Sequence, residues 1–111
     1  MKAADAIVRE VDSWEGVTQA PHRSGGVVLL YDRRELGRVH GDELVELPFA
    51  PGLRAMLVET GRADPHPLLP DSGRVTVRLD EPGDPDAAIE LFRLAYERAR
   101  VAERVRAARR N

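Results

Sequence analysis

The segment Pro65-His66-Pro67-Leu68-Leu69-Pro70-Asp71-Ser72-Gly73 divides this chain as no other stretch does. Its three prolines fix φ and remove backbone donors, so it can be neither helix nor central strand. It must be an ordered loop, with regular elements on either side. Polar side chains on a rigid loop are where binding sites tend to be built. His66, Asp71 and Ser72 are therefore candidate site residues, together with His40 and Asp42 of the upstream cluster His40-Gly41-Asp42.

Before the loop, Ala3, Ile7, Val11 and Trp14 recur at spacings of four, four and three, which predicts an amphipathic helix over about residues 2–14. Gly16 is a natural stop. Residues 17–22 read as a short edge strand, because Pro21 cannot donate to a ladder. After a Gly25-Gly26 turn, the run Val27 to Tyr31 predicts a buried strand. Asp32-Arg33 offers a two-residue turn, although it lacks the glycine a type I′ turn prefers. Arg34 to His40 would then return, with Leu36, Arg38 and His40 on one face. Leu44 to Phe49 reads as an apolar-rich connection. Pro51 and Gly61 bracket a helix with Leu53, Met56 and Leu57 inward.

Past the loop, Val75-Thr76-Val77-Arg78-Leu79 alternates as a strand, with Val75, Val77 and Leu79 inward. Asp84 caps, and Pro85 opens, a helix carrying Ile89, Phe92, Tyr96 and Ala99 on one stripe to about Ala107. The order is helix, three strands, helix, strand, helix. It predicts a two-layer α+β domain: a mostly antiparallel sheet of about four strands with helices on one face. Residues 1–111 are expected to form one domain, with a helix at 1–15, a sheet with an inserted helix at 16–80, and a helix at 84–108.

Composition narrows the chemistry. With no cysteine, thiolate nucleophiles, Fe–S clusters and cysteine zinc sites are excluded. Net charge is −2, which argues against nucleic acid as a dedicated partner. The longest apolar run is Val27 to Tyr31, and the N-terminus lacks a secretory pattern. The expectation is a cytoplasmic protein with no membrane partner. His22, His40 and His66, with Asp42 and Asp71, can in principle form a metal site or an acid–base pair. Their spacings of 18 and 26 residues match no local metal motif, and no metal is assigned. No flavin, nicotinamide or phosphate-loop pattern is present, and no cofactor is assigned. Ser72 would need a histidine base to act as a nucleophile, and Asp71 and Ser72 are equally natural turn formers. The arginine-rich end of the last helix reads as a solvated face.

Several motifs carry a resemblance. Ala20-Pro21-His22-Arg23 followed by Gly25-Gly26, Glu35-Leu36-Gly37-Arg38-Val39-His40-Gly41-Asp42, Leu47-Pro48-Phe49, Pro70-Asp71-Ser72-Gly73 and the run Ala88 to Glu97 are together similar to the small bacterial luciferase-domain proteins, named after fungal luciferases. The similarity covers about residues 10–100. Arg74 stands where that family usually has tryptophan after the Ser-Gly pair. A second similarity, of fold, is to MmcQ/YjbR proteins, through Val75-Thr76-Val77 and Ala95-Tyr96.

Residues and resemblance together give three readings. The first is a small-ligand-binding or accessory domain with a polar pocket lined by Arg23, His40, Asp42, His66, Asp71 and Ser72. The second is a small oxygen-using or hydrolytic enzyme with a His/Asp site. The third is a YjbR-type nucleic-acid-binding or protein-interaction module. Convergence of His40 and His66 would support the first two.

Overall fold

Strands that alternate apolar and polar residues bury one face and leave the other for polar groups. In this chain that alternation assembles one antiparallel sheet. The computed structural model describes every residue except Met1, Ser24 and Asn111. Its elements are α1 (Ala3–Asp12), β1 (Val17–Pro21), β2 (Val27–Tyr31), β3 (Arg34–His40), β4 (Leu44–Pro48), α2 (Pro51–Glu59), β5 (Asp64–Pro65), β6 (Arg74–Arg78) and α3 (Asp84–Arg110). The sheet order is β1-β2-β3-β4-β6-β5, antiparallel throughout.

The α+β class and the antiparallel sheet are as expected, but the strands number six, not about four. The stretch read as a connection is β4, a central strand. Val45 and Leu47 turn into the core, and Pro48 sits at the strand's end, opposite Arg74. The other added strand, β5, is two residues long, too short to show a period. Its Pro65 is tolerated because β5 lies at the sheet edge.

Leu29, Val39, Val45, Leu47, Val75 and Val77 form the inner face. Helix α1 covers it with Ile7 and Val11, and α3 with Leu91, Phe92, Tyr96 and Ala99. The Tyr96 hydroxyl donates to the Glu15 carbonyl at 2.7 Å, tying α3 to the turn after α1. The rings of Trp14 and Tyr31 lie 5.2 Å and 5.4 Å from that of Tyr96. Helix α2 packs beside β5 and β6 through the buried Leu57.

Two local features position the polar face. Asp32 takes the left-handed φ of 58°, which lets the β2–β3 turn close without glycine, since aspartate tolerates this region better than most residues. In the hairpin, Leu29 pairs with Gly37 but Leu30 pairs with Glu35, so Leu36 is an inserted residue. A bulge of this kind re-aims the side chains beyond it. Leu36 turns into the core instead of sharing a face with Arg38 and His40, which corrects the simple alternation. Glu35 is moved onto the outer face beside Arg38.

Gly37 lies under Phe92: a Cβ there would come within 2.7 Å of the Phe92 ring and 2.9 Å of the Glu46 carbonyl oxygen. Gly37→Ala should therefore destabilise the fold by about 2 kcal/mol through overpacking. Gly83→Ala, where a Cβ meets nothing within 4 Å, should change stability by less than about 0.5 kcal/mol. Urea unfolding of the two variants checks the contrast.

Candidate functional site

Directly paired residues share a face of the sheet. Arg38 pairs with Glu46, Glu46 with Thr76, and Thr76 with Asp64, so these four project from the face opposite the helices. His40 and Arg74 join them at i+2 and i−2 on their strands. An uncovered sheet face normally leaves such residues in solvent. Glu46 and Thr76 are nevertheless only 6% and 4% exposed. His66, from the proline-rich loop, reaches over Glu46, while Arg74, Arg38 and His40 surround it.

The Glu46 carboxylate is the hub. Arg74 donates through Nε to Glu46 Oε2 and through Nη2 to Glu35 Oε2. Arg38 Nη2 donates to Glu35 Oε1 at 3.2 Å, and its Nη1 stands 3.8 Å from Glu46 Oε2. On the other oxygen, His40 Nε2 and His66 Nε2 lie 3.3 Å and 3.4 Å from Oε1. His66 Nδ1 accepts the N–H groups of Leu68 and Leu69 at 3.2 Å and 3.0 Å. With Nδ1 acting as acceptor, the ring proton sits on Nε2, facing Glu46. Burial pushes the Glu46 carboxyl up, but the Arg74 charge and hydrogen bond, with His40 and His66 behind them, outweigh it. The net result holds Glu46 below the ordinary value of 4.5.

His40 Nε2 is near Oε1 but off the hydrogen-bonding direction. It is buried without a hydrogen-bond partner among the described residues, as is Arg38 Nε. His22 stands edge-on to His40, with ring centroids 5.9 Å apart, and His40 and His66 meet at Glu46 Oε1. Among the described residues, no group of three His, Cys, Asp or Glu side chains is arranged to hold a metal ion.

The other residues expected from sequence lie elsewhere. Asp42 Oδ1 accepts the Ala4 N–H at 3.1 Å and Oδ2 is 3.9 Å from Lys2 Nζ, so Asp42 caps α1 from across the fold. Ser72 Oγ accepts the Arg74 N–H at 3.3 Å, an arrangement that shapes the entry to β6. Asp71 is exposed on the loop, and Arg23 is exposed in the turn after β1. Conversely, Glu46, Glu35 and Arg38 were not singled out by sequence. The available signal was a charge inside an apolar run, Leu44-Val45-Glu46-Leu47; once 45 and 47 turn inward, Glu46 must face out.

The family model for the Luciferase domain matches residues 33–95. That span holds Glu35, Arg38, His40, Glu46, His66 and Arg74, and leaves out His22. No curated protein matches, and no solved structure matches.

Arg74→Ala leaves the buried carboxylate without its main counter-charge and should cost about 3 kcal/mol at neutral pH, measured by urea unfolding. The sign with pH follows from the lowered Glu46 carboxyl. Its contribution is complete above 4.5 and is lost as pH falls through the folded value. Wild type should lose stability in mild acid, and Glu46→Gln should flatten that loss.

Proposed function

The chain belongs to the luciferase-domain family, and on that premise we propose that it is a small-ligand-binding domain whose polar site is the Glu46 cluster. Family membership alone does not assign chemistry, so the reading rests on the site. The observation that carries it is the pair of buried nitrogens, Arg38 Nε and His40 Nε2, that have no hydrogen-bond partner among the described residues. Nearly all buried polar groups in folded proteins are hydrogen-bonded. These two stand at i and i+2 on one strand, on one face, beside a fixed negative charge. A polar ligand bearing an oxygen would satisfy Arg38 Nε and meet His40, with His66 on its far side. Asp42 serves α1, and Ser72 the entry to β6.

A catalytic reading has one observation in its favour: an ionised carboxylate facing imidazole nitrogens is an acid–base arrangement. His66 is a poor base there, because its Nδ1 is engaged by Leu68 and Leu69 and its Nε2 carries the proton. His40 is the one left to exchange a proton with a substrate.

The test is a thermal-shift series with malate, citrate, glucose, ribose, zinc(II) and manganese(II). Ligand at about 100 times its Kd should stabilise the native state by about 2.7 kcal/mol, a shift of several degrees. At least one organic compound should produce such a shift, and Arg38→Ala and His40→Ala should each remove most of it. A wild type that responds to none of them, or variants that respond undiminished, would contradict the reading.

A further inference from the structure

A second concave region lies at the end of the sheet where β3 begins and β4 runs into α2. Arg34, Glu35, Pro48, Phe49, Ala95 and Arg98 line a cavity of about 430 Å³ there. From Arg34 and Arg98 it continues into a hollow of about 390 Å³ bordered by Val101 and Ala102. The cavity's walls are mixed, polar at Arg34, Glu35 and Arg98 and apolar at the half-buried Pro48, Phe49 and Ala95, whereas the hollow beyond is mostly apolar, with Val101 49% exposed. The two cations come from different elements, Arg34 from β3 and Arg98 from α3, and both are exposed.

The acids at the margin are already engaged. Glu35 is held by Arg74 and Arg38, and Glu97 by Arg93 at 3.1 Å. Among the described residues, neither Arg34 nor Arg98 has an ion pair or side-chain hydrogen bond. A guanidinium is a planar fork of donors that matches a carboxylate or phosphate. Two of them over an apolar wall suit a molecule with an anionic head and an apolar body, since the wall gains by removing hydrocarbon from water. A cavity of this size is in the usual range for small-molecule sites.

We propose that this groove binds a small organic anion, its carboxylate or phosphate head between Arg34 and Arg98 and its apolar body on Phe49 and Ala95. Val101 and Ala102 extend the apolar wall for a longer body. The groove goes beyond the function proposed above and shares only Glu35 with the Glu46 cluster.

The experiment is a ¹H–¹⁵N NMR titration of the full chain with sodium octanoate, octyl phosphate and 1-octanol. Saturable shifts should centre on residues 34–35, 49–50 and 95–102, and at least one octyl anion should bind about tenfold tighter than 1-octanol, the usual scale of a charge-assisted contact. Tighter octanoate marks a carboxylate site, and tighter octyl phosphate a phosphate site. The double variant Arg34→Ala/Arg98→Ala should weaken the anion about tenfold, and the single variants Arg34→Gln and Arg98→Gln each about threefold. His40→Ala should bind as wild type does, which separates this groove from the polar site. Absence of saturable shifts, equal binding of 1-octanol, or undiminished binding by the variants would overturn the proposal.

Discussion

Glu46 stands in the middle of a central strand, 6% exposed, on the face of the sheet that no helix covers. Its charge must be balanced where it stands, because moving an ion from water to a protein interior costs several kcal/mol even after relaxation. The balance comes from three directions in the chain. Arg38 and His40 arrive on β3, Arg74 on β6, and His66 on the loop between β5 and β6. One carboxylate thus joins segments that lie up to 28 residues away in sequence. It also explains why the proline-rich loop is ordered over the sheet. His66 is held at Glu46 on one nitrogen and organises Leu68 and Leu69 with the other.

The hairpin bulge serves the same network. Without the inserted Leu36, Glu35 would point into the helix-covered core with Gly37 and Val39. With it, Glu35 reaches Arg38 and Arg74 and completes a cluster of two carboxylates and two guanidiniums. Arg74 bridges the two carboxylates, one donor to each, as only a cationic fork of donors can. The outer face here is therefore a charged and imidazole-lined surface, and among the described residues Arg38 Nε and His40 Nε2 lie buried on it without a hydrogen-bond partner.

Much of this was legible in the sequence, for reasons that differ by element. The helix stripes were readable because Ile7, Val11, Phe92 and Tyr96 keep one period and are buried together. The loop was readable because prolines act locally. Strand β4 was misread because its inward residues, Val45 and Leu47, are flanked by Leu44 and Pro48, which blur the alternation. Two-residue β5 had no period to read. The convergence of His40 and His66 depends on strand order, and β6 inserts beside β4 only through long-range pairing. Glu46 looked like an ordinary surface charge, since burial on the uncovered face comes from a loop 20 residues away. Asp42 looked like a site residue, yet its partner is the amide of Ala4, which no local pattern reveals.

The most direct measurement is a ¹³C NMR titration of the Glu46 side-chain carboxyl in the folded protein. The midpoint should lie below the ordinary 4.5, with burial overcome by Arg74 and the two histidines. In Arg74→Ala it should move upward, as desolvation is left less opposed. A Glu46 carboxyl that titrates at or above 4.5 in the native chain, or whose midpoint does not respond to loss of Arg74, would contradict it.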